Sequence, residues 1–148
     1  MIIVVQRCSR AQVSVNNEII SQIKSGLMLL VGINKGDGFL DADKAVDKVI
    51  NLRIFNDEKD KMNLSVLDTK GSLMIVSQFT LCADIKKGRR PSFVYAENPD
   101  KGVLIYKHMI NRLRDKGINT VTGKFGAMMD IELINEGPAT FIINSNEL

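Results

Sequence analysis

The sequence contains no tryptophan, one histidine and two cysteines among its 148 residues. A single histidine, His108, cannot supply both an imidazole base and a set of histidine metal ligands. Cys8 and Cys82 are too few for a disulfide framework or a four-cysteine zinc site, so we expect a reduced, cytoplasmic protein. We expect no metal and no cofactor.

Long hydrophobic runs are also missing. No apolar run approaches the roughly 18 residues of a membrane span, so no membrane partner is predicted. The opening MIIVVQRCSR is typical of a strand rather than of a signal peptide. With 20 basic and 17 acidic residues, the net charge of +3 does not by itself predict a nucleic-acid binder. The length predicts one domain spanning residues 1–148.

Hydrophobic patterning predicts strands in the first third of the chain. Residues 11–15 alternate apolar and polar, the period of a half-buried strand. Asn16-Asn17 favours a tight turn to a partner strand at residues 18–23, because asparagine tolerates positive φ. The continuous apolar run at residues 27–31 is typical of a central strand buried on both faces.

Two amphipathic helices are predicted. The first, at residues 39–52, carries an apolar stripe of Ala42, Ala45, Val46, Val49 and Ile50. Asn98 and Pro99 suit the cap and first position of the second helix. Its expected stripe is Val103, Tyr106, Ile110 and Leu113.

Later strands complete the expected architecture. A buried strand at residues 73–76 runs on into the polar residues 77–81. Closing strands are expected at residues 121–125, 131–134 and 140–143, with turns at Gly126 and Gly137-Pro138. This order predicts an α+β fold, in which two helices flank a mixed or antiparallel sheet.

The segment Ser77-Gln78-Phe79-Thr80 places polar groups at the end of a buried strand. It is either a strand end whose side chains bond nearby backbone, or an active-site edge whose N–H groups bind an oxyanion. No triad is predicted, because we expect the only histidine, His108, at the surface. For Cys82, a packed thiol is favoured over a nucleophile.

A basic segment, DIKKGRRP, follows closely. Lys86, Lys87, Arg89 and Arg90 bring four positive charges within five residues. The segment is either a solvated loop or a site for phosphates, to which arginine offers bidentate geometry.

Three longer motifs resemble the D-aminoacyl-tRNA deacylase family: SQFTL at 77–81, KKGRRPSF at 86–93 and NEGPATF at 135–141. VQRCSRAQV, MNLS and KFGAMM occur in the expected order, so the resemblance runs from end to end. The chain departs from the family in having GPAT where GPVT is usual, and Cys82 where tyrosine is frequent. Neither change removes a group that the activity needs.

The resemblance implies a barrel-like sheet and a homodimer with sites at the subunit interface. It implies hydrolysis of the ester that joins a D-amino acid to the 3′-terminal adenosine of tRNA. Glycine mischarged on alanine tRNA is a further implied substrate. L-aminoacyl esters are rejected, so the implied role is chiral proofreading.

The resemblance also implies residue roles. Ser77, Gln78, Phe79 and Thr80 line the ester pocket, and N–H groups near Phe79 and Thr80 stabilise the oxyanion while Thr80 positions or attacks the ester. A cis Gly137-Pro138 bond, followed by Ala139, reaches the partner's site and is braced by Arg7. Phe125 and Met129 form the adenine pocket. The four cations of the basic segment contact the tRNA backbone.

Two alternatives remain open on the residues alone. One is a non-catalytic RNA-binding module that uses the basic loop at residues 86–91 and stacks bases on Phe79 or Phe93. The other is a thiol hydrolase built on Cys82 and His108.

Overall fold

A mixed six-stranded sheet forms the centre of the structure, a computed structural model that describes residues 1–148. A second, two-stranded sheet joins β4 and β5. Neither helix combines the length and apolarity that a membrane span requires. The elements are β1 (Ile2–Val15), β2 (Glu18–Ile23), β3 (Gly26–Gly32), α1 (Phe39–Asn51), β4 (Phe55–Asn56), β5 (Met62–Leu64), β6 (Ser72–Ser77), α2 (Pro99–Asp115), β7 (Thr120–Thr122) and β8 (Asp130–Asn144).

The long strand β1 organises the sheet. It pairs antiparallel with β3 through its first half, with β2 through its second half, and with β8 along most of its length. β3, β6 and β7 continue the sheet in parallel. The Ser21 hydroxyl donates to the Thr122 carbonyl at 2.9 Å, which draws β2 towards β7 and curls the sheet into the expected barrel-like form.

The predicted hairpin and both helices are confirmed. Asn16 and Asn17 turn the chain with φ of 51° and 65°. All five residues of the first predicted stripe are buried in α1. At the start of α2, the Asn98 side chain accepts from the Asp100 N–H at 2.9 Å, and Pro99 is the first helical residue.

The stripe of α2 is wider than predicted. Tyr106, Ile110 and Leu113 are buried as expected, but Ile105 and Met109 are buried as well. Val103 is only half-buried. The helix packs against both α1 and the sheet, so its apolar face extends over more of its circumference than a single narrow stripe.

Hydrophobic side chains fill both faces of the central strands, as predicted for residues 27–31. Leu27, Leu29 and Val31 of β3 join the larger core, which lies between the sheet and the helices. Met28 points the other way, because successive strand residues alternate between faces. It packs in a smaller cluster with Cys8, Ala11, Val13, Ile23, Met74 and Val76.

The prediction of a turn at Gly137-Pro138 is wrong. β8 is one continuous strand through residues 131–143, and these two residues lie within it. Its pairing with β1 shifts register on both sides of Cys8, so the ladder accommodates the irregular stretch without reversing the chain.

Two strand boundaries also differ from the prediction. The strand expected to continue through residues 77–81 ends at Ser77, and a 3₁₀ turn follows from Phe79 to Cys82. The strand expected at residues 121–125 is the shorter β7. In both places the ladder ends early, and the freed chain forms part of a cavity wall.

Candidate active site

The 3₁₀ turn after β6 leaves two adjacent backbone donors free of the turn. Gln78 N–H donates to Val31 O at 2.7 Å, Leu81 N–H to Gln78 O at 3.2 Å, and Ala83 N–H to Thr80 O at 3.1 Å. The N–H groups of Phe79 and Thr80 open the turn and have no acceptor within it. Two consecutive free N–H groups are suited to bind an oxygen that gains negative charge during a reaction.

A cavity of about 770 Å³ lies beside this turn. Ser77, Gln78 and Phe79 form part of its wall, and Phe125 and Met129 form another part. The first residues of α2 and the segment before it contribute further wall, including Pro99 and Gly102. Five of the residues that the resemblance assigns to the site therefore meet at one mainly apolar cavity, of a size typical for small-molecule sites.

Thr80 lies outside the cavity wall and is exposed. The Gln78 amide nitrogen donates to the Thr80 hydroxyl oxygen. No acidic or basic side chain hydrogen-bonds to that hydroxyl. Because a hydroxyl nucleophile needs a base, this arrangement fits a positioning role better than direct attack.

Phe125 and Met129 are held in the wall by specific neighbours. The Phe125 ring lies 5.5 Å from the buried ring of Tyr106, whose hydroxyl donates to Ile75 O at 2.7 Å. A Cβ atom added to Gly123 would lie 2.6 Å from the Met129 sulfur. The missing side chain at position 123 therefore makes room for the Met129 side chain at the cavity.

Two charged residues of the wall were not predicted from the sequence. Lys35 and Glu97 both line the cavity. Lys101 Nζ, at 2.7 Å, and the Asn98 N–H, at 2.9 Å, hold the pKa of the Glu97 carboxyl below its usual range. An ionised carboxylate thus faces a mainly apolar space, and Lys35 is the other charged residue of the wall. In the sequence, Asn98-Pro99 indicated only the start of a helix. No local pattern marks the preceding residue, Glu97, as a site residue.

Gly137 and Pro138 lie away from this cavity within the same chain. They are joined by a cis peptide bond and are exposed, whereas Ala139 is buried. Neither residue lines the cavity wall. Their placement on an exposed stretch of β8 leaves them accessible to another molecule.

Arg7 braces this stretch, as the resemblance implies. Its guanidinium donates to Glu136 O at 3.2 Å and to Gly137 O at 3.1 Å. The same group donates to Ile54 O at 2.6 Å and to the Asn56 side chain at 3.1 Å. The Arg7 side chain is almost fully buried, so the planar fork fixes the stretch from beneath.

The basic segment forms an exposed loop. Asp84 and Ser92 close its stem with backbone bonds of 2.7 and 2.9 Å. Gly88, at φ +73°, adopts a conformation that residues with side chains rarely reach. Lys86, Lys87, Arg89 and Arg90 are exposed, form no salt bridge within the chain and do not line the cavity.

The thiol-hydrolase alternative finds no matching geometry. Cys82 is buried, and burial raises the pKa of its thiol, the opposite of what a nucleophilic cysteine requires. His108 is half-buried rather than at the surface as expected. Its Nε2 lies 3.0 Å from an Asp43 carboxylate oxygen, between the two helices, and its ring contacts Phe39.

An apolar cavity beside two free N–H groups is typical of an enzyme that binds a small organic group and stabilises an oxyanion. The family model described as D-Tyr-tRNA(Tyr) deacylase matches residues 4–144. The chain belongs to this family of hydrolases.

Curated relatives match over nearly the whole length. The D-aminoacyl-tRNA deacylase of Geobacillus sp. (strain WCH70) is 54% identical over 147 residues, covering 99% of this chain and 97% of the relative. That of Syntrophus aciditrophicus (strain SB) is 48% identical over 145 residues, covering 98% and 97%.

Solved structures share the fold. A structure titled c-Myc DNA Unwinding Element Binding Protein superposes with a TM-score of 0.91 at 36% identity, covering 97% of this chain and 98% of its own. A probable eukaryotic D-amino acid tRNA deacylase superposes with a TM-score of 0.79 at 18% identity, covering 96% and 98%. At that lower identity the similarity shows the fold alone.

Proposed function

We propose that this protein hydrolyses the ester bond of D-aminoacyl-tRNA and releases the free D-amino acid and tRNA. The observation that carries the proposal is the pair of free N–H groups at Phe79 and Thr80, beside the cavity. Identity of about half to D-aminoacyl-tRNA deacylases over nearly the full chain supports it. Residues 1–148 act as one catalytic domain, in the cytoplasm, where its tRNA substrate is found.

The proposed reaction needs no cofactor. The cavity takes the terminal adenosine between Phe125 and Met129, so the ester carbonyl reaches the N–H groups of Phe79 and Thr80. Water adds to the carbonyl carbon, and these N–H groups stabilise the oxyanion. Collapse then breaks the bond to the ribose 3′-oxygen, which leaves with a proton. The Thr80 hydroxyl positions the ester, and the neighbouring ribose 2′-hydroxyl, or a water that it holds, assists.

Chiral selection requires a second subunit in this proposal. Gly137, Pro138 and Ala139 of one protomer reach the site of its partner in a homodimer. Backbone carbonyls there face the amino group and the Cα–H of a D-residue, whereas an L side chain collides with the same rigid backbone. Glycine has no side chain to collide, so glycyl esters, including those mischarged on alanine tRNA, are accepted.

The direct test measures deacylation of D-tyrosyl-tRNA and L-tyrosyl-tRNA side by side, with a chelator present. We expect rapid loss of the D-ester alone. Loss of both esters would indicate a general esterase and contradict selection by Gly137 and Pro138. Binding of tRNA without loss of either ester would instead favour a non-catalytic RNA-binding module.

The basic loop is expected to contact the tRNA backbone. The double variant Arg89→Glu and Arg90→Glu should weaken tRNA binding by at least about tenfold at low salt, because each phosphate contact contributes through counterion release. The slope of log affinity against log salt should become shallower by roughly 2. The matched control, Lys59→Glu with Lys61→Glu, makes the same charge change in another exposed turn. Equal effects of the two double variants would show that tRNA binding depends on the net charge of the protein and not on a contact with the basic loop.

A further inference from the structure

An exposed pair of aromatic rings lies at the cavity. Phe79, on the 3₁₀ turn, and Phe93, directly after the basic loop, have ring centroids 4.8 Å apart in an edge-to-face arrangement. The two residues are 58% and 40% exposed, although both line the cavity. Burial of an exposed phenyl ring away from water is favourable. A flat group that stacks on these rings would therefore be stabilised by the apolar surface that it covers.

The positive charge of the neighbouring loop indicates which kind of flat group would cover the two rings. Phe93 follows the stem of the basic loop immediately, so one short segment carries both a stacking ring and four cations without partners in the chain. Aromatic faces beside cations are typical of sites for single-stranded nucleic acid. In the proposed homodimer, residues 137–139 of the partner approach the ester end of the site. A symmetric contact through the basic loop itself would bring the cations of both chains together, and like charges oppose such a contact.

We infer that Phe93, with Phe79, stacks the base of the nucleotide preceding the terminal adenosine, while the basic loop holds the adjoining phosphates. This inference rests on the proposed function, which puts the terminal nucleoside in the cavity and its ester at the 3₁₀ turn. The next nucleotide of the strand must leave the cavity past its rim, where the aromatic pair is exposed. Stacking tolerates any base, so Phe93 contributes affinity for a nucleotide at this position without selecting which base it carries.

Three substrates of increasing length test the inference: D-tyrosyl-adenosine, the D-tyrosyl ester of the CCA trinucleotide, and D-tyrosyl-tRNA. In Phe93→Ala, the kcat/KM for the trinucleotide relative to that for the nucleoside ester should fall about tenfold, because a stacked base contributes roughly five- to a hundredfold. Phe93→Trp should restore the ratio. The matched control is Phe39→Ala, since Phe39 is 53% exposed, contacts the His108 ring at 4.8 Å and lies outside the cavity.

Binding of the uncharged CCA trinucleotide and of adenosine, measured by titration, separates this inference from the proposed function. Phe93→Ala should weaken trinucleotide binding by the same factor and adenosine binding far less. A wild-type protein that binds in this way but cleaves no ester would refute the proposed function alone. Equal losses on both esters, no loss on either, or a change in sedimentation caused by Phe93→Ala would each overturn the stacking role.

Discussion

An Arg7→Ala variant is expected to lose about 3 kcal/mol of its free energy of unfolding, because the buried Ile54 carbonyl and two part-buried carbonyls lose a charged donor. The Arg7 guanidinium spans the carbonyls of Ile54, Glu136 and Gly137 from a buried position. Its removal should also free the Gly137 stretch, on which proposed chiral selection depends. We therefore expect the D-over-L preference in deacylation to fall about tenfold, the factor that 1.4 kcal/mol represents.

Two further variants make the Arg7 prediction specific. Arg7→Lys retains the charge but not the planar fork, so it should regain only part of the stability and little of the selectivity. Arg10→Ala removes an exposed arginine that pairs with Glu132 at 3.1 Å. It should cost less than about 1 kcal/mol, as exposed pairs do. Denaturant unfolding and paired D- and L-ester assays supply the measurements. Unchanged selectivity in Arg7→Ala would show that the hydrogen bonds from Arg7 to the Gly137 stretch do not govern the choice between D- and L-esters.

A Gly32→Ala variant is expected to lose at least about 90% of its deacylase kcat/KM, since misplacement of site groups by about 1 Å can cost a hundredfold. An added Cβ at position 32 would lie 2.9 Å from Leu81 Cβ and 3.0 Å from Gln78 O. Both atoms belong to the turn that presents the free N–H groups. Relief of the clash must move that turn away from β3.

The control for Gly32 is Gly38→Ala, where an added Cβ meets no atom within 4 Å. Gly38 caps α1, so its replacement should lower stability by no more than about 1 kcal/mol and leave kcat/KM intact. Thermal unfolding and steady-state kinetics on D-tyrosyl-tRNA distinguish the two effects. Full activity in a folded Gly32→Ala protein would show that the position of the turn does not govern the reaction.

Local patterns predicted those elements whose causes are local. The stripe of α1, the cap at Asn98 and the turn at Asn16-Asn17 each follow from a few neighbouring residues, and all are present. Gly137-Pro138 was misread for the same reason. Locally these residues favour a turn, but β1 supplies a distant partner strand and Arg7 takes two of the carbonyls. Neither interaction is visible in a window around position 137.

The cavity was predictable only in part. Motifs supplied Ser77, Gln78 and Phe79, and the resemblance supplied Phe125 and Met129; the structure brings these five residues to one cavity. Glu97 was missed, because its place in the wall depends on how α2 packs across the sheet. The end of β6 at Ser77 was not predicted, because an apolar run followed by polar residues does not show whether the polar residues continue the strand or form a 3₁₀ turn.

The long ladder between β1 and β8 sets the order in which this protein is assembled during its synthesis. Ile2 pairs with Asn144 and Ser14 with Asp130, so residues 130–144 must emerge before the ladder can form. Pairing between such distant segments is slow. Until it forms, one edge of β1 stays open to other nascent chains, the exposure from which strand aggregation begins. A fragment ending before residue 130 lacks both the ladder and Gly137, so the proposed selectivity requires that translation has passed residue 138.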